Sequence, residues 1–223
     1  MPQIAQIDRQ LVLDRRRLLL AAPALWLASA VNTGSSREQD RVPATAIGSG
    51  AAKLIEAAEA QIGVTTRYDP AYERMAFPGG DVPVERGVCT DVVVRAYRSA
   101  FAADLQMLVH ADMRAEFQAY PRAWGLTAPD ANIDHRRVQN LQVFFRRQGA
   151  ALPMPANAGG WRPGDLVTQQ TLPNGRAHIG VVGATRDKSS GRLLVIHNIG
   201  RGTEISDTLA LFKATGRYRY LAG

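Results

Sequence analysis

Ala51, Leu54, Ile55, Ala58 and Ile62 recur at steps of three and four residues, which predicts a helix over 51–62 closed by Gly63. Residues 64–88 are broken by Pro70, Pro78-Gly79-Gly80 and Pro83 and read as loop. From Cys89 a second stripe begins, through Val92, Val93, Ala96, Tyr97, Ala100 and Phe101, and predicts a helix over 89–101. The β-branched run Val92-Val93-Val94 would also suit a strand. A third helical pattern covers 105–119 and stops before Pro121, and a short helix from Asn140 to Gln148 stops at Gly149. The period then changes. Leu166-Val167, Ile179–Val182, Leu193–Ile199 and residues 216–221 are short apolar or β-branched runs set between Gly, Pro, Asn and Ser, and read as strands. Helices first and antiparallel strands second predict an α+β domain, with N-terminal helices packed on the sheet.

The N-terminus follows a different rule. Arg15-Arg16-Arg17 precedes the apolar run Leu18–Leu27, and Ala28-Ser29-Ala30 has the small-x-small form of a cleavage site. This reads as a signal peptide over residues 1–30, of the twin-arginine or the general secretory kind. The run is too short for a comfortable membrane span, so no stable span is expected once the signal is cleaved. Residues 31–47 read as a linker and 48–223 as one domain. The expected location is periplasmic or secreted, and the expected state a monomer. The chain of 223 residues carries a net charge of +7, and removal of the signal leaves about +5. An exported basic protein is drawn to anionic envelope polymers or membrane surfaces. Nucleic acid is not expected as a partner, because the arginines are scattered and no nucleic-acid motif is present.

Export makes the single cysteine informative. Exported proteins normally pair cysteines, and Cys89 has no partner in the chain. It is an inert buried thiol, an intermolecular linker or a reactive nucleophile. Its position at the start of a predicted helix favours the nucleophile, because unpaired amides and the helix dipole stabilise a thiolate there and lower its pKa. A nucleophilic thiol needs a base, and the base an orienting group. His178 and His197 lie in adjacent predicted strands joined by a turn through 186–191. A hairpin centred midway between Asp187 and Lys188 sets the two histidines opposite each other. Moving the centre by a whole residue keeps them on one face as diagonal neighbours, and a half-residue shift separates them.

The other polar candidates divide less clearly. His110, near Asp112 on a helix, reads equally as a solvated surface residue. Asp134, His135 and Arg136 form a polar cluster before a helix; Asp134 caps that helix, or the three line a binding cleft. Cys89, His178 and His197 could supply three zinc ligands, but no close ligand pair accompanies them, and neither metal nor cofactor is expected. No phosphate-binding glycine loop and no serine-nucleophile elbow is present.

Cys89 at a helix start, Pro163-Gly164-Asp165-Leu166-Val167 opening a strand, His178-Ile179-Gly180-Val181-Val182 and a following strand with His197 together resemble the NlpC-type papain-like cysteine peptidases. More closely, Gly87-Val88-Cys89-Thr90-Asp91-Val92-Val93, Asn132–Leu141 and Val195-Ile196-His197-Asn198-Ile199-Gly200 are similar to the exported bacterial family of domain of unknown function 1287 (YijF-like). The resemblance spans about residues 50–221. It implies a papain-like fold in which Cys89 is the nucleophile, His178 the base and His197 its orienting group. Tyr68, or next Tyr72, would assist the oxyanion, and Arg136 would pair with a substrate carboxylate. Val88 stands where the NlpC-type motif has Asp, and Thr90-Asp91 where it has Ser-Gly. The implied activity is hydrolysis of an envelope amide, in peptidoglycan stem peptides or another envelope peptide. A non-catalytic binding module and an acyl- or peptidyl-transferase on the same fold are the alternatives.

Overall fold

The structure, a computed structural model, describes residues 40–220; the signal segment read at 1–30 and the linker as far as residue 39 lie outside the described residues. In chain order the helices are α1 (Ser49–Glu59), α2 (Cys89–Phe101), α3 (Leu105–Ala115), α4 (Val138–Arg147) and the single turn α5 (Thr208–Leu211). The strands are β1 (Arg67–Tyr68), β2 (Arg86–Gly87), β3 (Ala151–Leu152), β4 (Leu166–Thr171), β5 (Arg176–Arg186), β6 (Leu193–Asn198), β7 (Thr203–Ser206) and β8 (Lys213–Tyr218). β1 and β2 form a short parallel pair; the other six make one antiparallel sheet in the order β3-β8-β4-β5-β6-β7. The chain is therefore α+β, with helices leading and an antiparallel sheet following. Among the described residues no helix is long and apolar enough to cross a membrane.

Both faces of the sheet are buried, which is why its central strands read as continuous apolar runs. Leu166, Ile179, Val181 and Ile196 pack under Leu54, Val92, Val93, Tyr97 and Phe144 of the helices. The alternate residues Val167, Val182 and Val195 form a second cluster with Trp161 and Leu193, against which Leu209 packs. The edge strand β7 was not legible in the sequence, because Thr-Glu-Ile-Ser is polar and only half buried. The last strand ends at Tyr218, earlier than its apolar run predicted, and the helix after residue 105 stops at Ala115 and continues only as a 3-10 turn, Phe117–Ala119.

Residues 40–47 read as linker by composition, yet 40–42 are tied to β5. The Val42 amide donates to Ala184 O at 2.8 Å and the Arg186 amide to Asp40 O at 2.7 Å. The β5–β6 register shifts between Val182 and Arg186, and this segment bonds to the backbone groups there.

The β5–β6 ladder pairs Val181 with Ile196 and Val182 with Val195. The hairpin centre is thus one whole residue beyond the Asp187–Lys188 midpoint, and His178 and His197 share a face as diagonal neighbours. Gly180 faces His197 across the pair. A Cβ at Gly180 would stand 2.4 Å from Val195 Cγ1 and 3.1 Å from His197 Cβ, so only glycine lets the strands close there.

Candidate active site

Helix α2 begins at Cys89, and several contacts fix its first turn. The Val88 amide donates to Asp91 Oδ2 at 2.6 Å. Thr90 Oγ1 donates to Arg136 O at 3.0 Å. Asn198, at the end of β6, donates to Gly87 O at 2.9 Å and to Arg67 O at 3.3 Å. The end of β6 therefore holds the loop that delivers the cysteine.

The thiol itself meets β5. Val182 exchanges its two backbone bonds with Gly164 and Asp165 on the β4 side. Alternation then turns the Ile179 amide toward β6, where the ladder ends at Val181 and Ile196. Cys89 sits at that end. The amides of Ile179, Thr90 and Cys89 itself lie near enough to favour its thiolate, and Ile179 directly follows His178.

Burial dominates the thiol's chemistry. Cys89 is 4% exposed, and burial pushes its pKa up to about 11 against the pull of those three amides. The sequence predicted a lowered pKa from the helix N-terminus. The three amides do lower it, but desolvation outweighs them. Iodoacetamide alkylation of the free protein is accordingly expected to be slow at pH 7–8 and to rise about tenfold per pH unit toward pH 10. A rate profile already flat above pH 7 would show that the thiol is less buried in solution.

His178 and His197 project from the face opposite the helices, at alternate positions to Ile179 and Ile196. Their ring centroids are 4.9 Å apart and the rings nearly perpendicular, at 87°. His197 Nε2 is 2.7 Å from Ser206 Oγ on β7. His178 Nε2 and His197 Nδ1 are buried without a protein hydrogen-bond partner. Burial, and then His197, pushes His178 down to about 3; burial pushes His197 down to about 4. Both imidazoles are neutral at pH 7. His135, 2% exposed, is likewise lowered to about 4, by burial and then by Arg98.

These shifts set a pH dependence of stability. Below the unfolded histidine pKa of about 6.5 the unfolded chain binds protons that the folded chain refuses. Stability is thus complete above about pH 6.5 and is lost as pH falls toward 4, by about 1.4 kcal/mol per unit for each histidine. Asp134, raised to about 6 by burial, works in the opposite sense between its unfolded value and about 6, and offsets part of this. Urea midpoints should fall between pH 7 and pH 5; a constant midpoint would contradict the buried neutral histidines.

The cleft in front of Cys89 has a volume of about 380 Å³ and is lined by Tyr68, Trp124, Arg136, Arg137 and Arg176 among others. An adjoining cleft of about 300 Å³ is lined by His178, Leu172 and Ile199. Tyr68, Arg176 and Ala177 line both and join them. Tyr68 is 38% exposed, and its hydroxyl pKa is raised by burial and then by Cys89. Tyr72 instead donates to Asp130 Oδ2 at 3.0 Å.

The polar cluster divides. Arg136 reaches the cleft, but Nε and Nη2 each donate to Asp91 at 2.9 Å, Nη1 to Ala71 O at 2.9 Å and Nη2 to Asp69 O at 3.2 Å. With its side chain 2% exposed, Arg136 is a strut between α2 and the 69–71 loop rather than an open carboxylate receptor. Asp134 accepts from the Asp130 amide at 2.5 Å and from Arg137 at 3.2 Å. Neither Asp134 nor His135 lines the cleft. His110 stacks edge-on against Phe77, with centroids 4.9 Å apart, and also lies away from it.

Sequence reading missed the cations that do face the cleft. Arg176 forms no ion pair among the described residues, and Arg137 lies 4.2 Å over the Trp124 ring. It also missed Asn198, which holds the Cys89 loop, and Ser206, which meets His197, both from strands. Arg176 carried one usable signal, since it opens the strand that contains His178. Among the described residues no three of His, Cys, Asp and Glu converge as metal ligands.

Comparison with known proteins places this chain in a family. Residues 55–220 match the family described as Domain of unknown function (DUF1287). Uncharacterized protein YijF of Escherichia coli (strain K12) is 51% identical over 169 residues, 75% of this chain and 80% of that protein. A solved N-acetylmuramoyl-L-alanine amidase from Bacteroides uniformis ATCC 8492 aligns over 77% of this chain and 99% of its own, with 12% identity and a TM-score of 0.40.

Proposed function

This chain belongs to the DUF1287 family, and on that footing we propose that it is a cysteine hydrolase of the cell envelope that cleaves an amide bond in an acidic peptide such as a peptidoglycan stem peptide. One observation carries the reading: the lone thiol stands at a helix start, against the backbone of the residue after His178, and opens onto a cleft with a cationic wall. The signal peptide read at 1–30 supports an envelope location, and the NlpC-type motif order supports a papain-like fold.

The structure does not bring Cys89 and His178 into contact: no hydrogen bond joins them, and His178 lines the adjoining cleft from the other face of β5. In this reading Cys89 Sγ bonds to the substrate carbonyl carbon as the thiol proton passes to His178 by way of water in the joined clefts. The tetrahedral adduct collapses, the C–N bond breaks, and the amine leaves with that proton. Water, deprotonated by His178, then splits the thioester and restores the thiol. His197, held by Ser206, keeps the imidazole in place, as the third member of a triad does. The Cys89 amide would donate to the oxyanion. Because the free thiol is raised and His178 lowered, a resting thiolate–imidazolium pair is disfavoured. Proton transfer is then coupled to attack.

Arg176 would receive the substrate carboxylate. Arg176→Ala is expected to raise KM about tenfold or more with little change in kcat, the signature of lost ground-state binding. Steady-state kinetics on a stem peptide and on its amidated analogue check this; equal loss on both substrates would remove the carboxylate from the account. A second reading, a non-catalytic envelope binding module, is favoured by the raised Cys89 pKa. Peptide binding that survives Cys89→Ser, with no turnover by the unmodified protein, would select it.

A further inference from the structure

We infer that Arg137, stacked on Trp124, is a specificity-determining residue that receives a second substrate carboxylate in the Cys89 cleft, so that the peptide taken here carries two carboxylates, one for Arg137 and one for Arg176. This rests on the acidic-peptide substrate proposed above and adds a second acidic group to it.

The wall of the cleft in front of Cys89 contains three arginines, Arg136, Arg137 and Arg176, and no Asp or Glu. Charge of one sign around a recessed volume favours an anionic occupant. The three are not equivalent. Arg136 is spent on Asp91 and on two backbone carbonyls. Arg176 stands where the two clefts join, and one carboxylate is already assigned to it. Arg137 and Trp124 line the Cys89 cleft and not the adjoining one. The two available cations therefore mark different places along the joined clefts.

Arg137 is held in place yet largely unspent. Its guanidinium carbon lies 4.2 Å from the centroid of the Trp124 ring. Stacking fixes the guanidinium plane and leaves its edge, where the N–H donors lie, clear of the indole. Nη1 donates to Asp134 Oδ1 at 3.2 Å, and among the described residues the side chain makes no other hydrogen bond. The remaining donors form a fork that fits a carboxylate. The side chain is 16% exposed, dry enough to strengthen a charge-assisted bond and open enough to form one. Burial lowers the Arg137 pKa, and Asp134 and then Asp130 do not make up the difference, so a further anion would stabilise its charged form.

Calorimetric titration of the Cys89→Ser protein tests this. The probes are a stem peptide with two free carboxylates and its two monoamides, each with one carboxylate converted to a carboxamide. Arg137→Gln should weaken the diacid and one monoamide by at least about tenfold, the size of a hydrogen bond to a charged group, and leave the other monoamide unchanged. Arg176→Ala should show the reverse preference between the monoamides. Arg137→Lys keeps the charge without the fork; it should lose affinity for the same monoamide as Arg137→Gln, by a smaller factor. If Arg137→Gln does not fold, Arg137→Lys decides alone. The inference is overturned by unchanged binding in the Arg137 variants, or by equal loss on both monoamides, which would make Arg137 part of a diffuse field. It is also overturned if the Arg137 and Arg176 variants weaken the same monoamide, which would put both arginines on one carboxylate. Failure of the hydrolase reading shows separately, as absent turnover by the unmodified protein, and leaves the binding pattern standing. Binding of none of the three peptides before Arg137 is changed would overturn the acidic-peptide substrate and this inference together.

Discussion

Cys89→Ser should reduce hydrolysis by at least about 10³-fold while leaving the fold intact. Serine preserves the size and position of the side chain in the first turn of α2, so the contacts of Asp91, Thr90 and Asn198 around it need not move. It removes the polarisable nucleophile. Serine's hydroxyl is far less acidic than a thiol and a much weaker nucleophile in a site shaped for sulfur. His178→Ala should cost a comparable factor, because residues that act as a unit lose most of their effect when either is removed. His197→Ala should cost less. Circular dichroism and thermal unfolding establish that each variant is folded, and product formation gives the rates. A thermal midpoint unchanged and activity unchanged in Cys89→Ser would make Cys89 an inert buried thiol.

Arg136→Ala should be the most destabilising of the site variants, by about 3–5 kcal/mol, because it leaves the Asp91 carboxylate buried without its cation. Asp91 is 3% exposed and Arg136 6% exposed, and the pair is bidentate. Arg136→Lys should recover only part of the loss, since an ammonium cannot supply both donors to Asp91 and also reach Ala71 O and Asp69 O. Urea unfolding at pH 7 measures it. The loss should appear without substrate, which separates a strut from a receptor. If Arg136→Ala unfolds like the unmodified protein but raises KM, the guanidinium belongs to the substrate after all.

The sequence carried the parts of this fold that repeat. The helical stripe from Cys89 and the period change after residue 160 were readable, because one buried face leaves a regular signature. Strand parity framed the choice for His178 and His197: the whole-residue shift seen in the structure keeps them on one face, where a half-residue shift would have separated them. What was not readable depends on through-space pairing. The polar edge strand β7 carries Ser206, and its four residues show no apolar period. Gln169 looks like a solvated strand residue until α5 is seen to fold over it. Arg136 looked like a cleft cation because its partner, Asp91, is 45 residues away in sequence. The thiol's pKa failed for a related reason. The helix start was visible, but the burial that outweighs it comes from β5 and the 67–70 loop.

The central claim is that this chain breaks an amide bond in an envelope peptide through Cys89. Incubation of the protein with purified peptidoglycan, followed by mass analysis of the soluble fragments, tests it most directly. The account predicts fragments released with a new amine and a new carboxylate, one water added per bond, and none from Cys89→Ser. Release that is absent with the unmodified protein, or equal with Cys89→Ser, contradicts it.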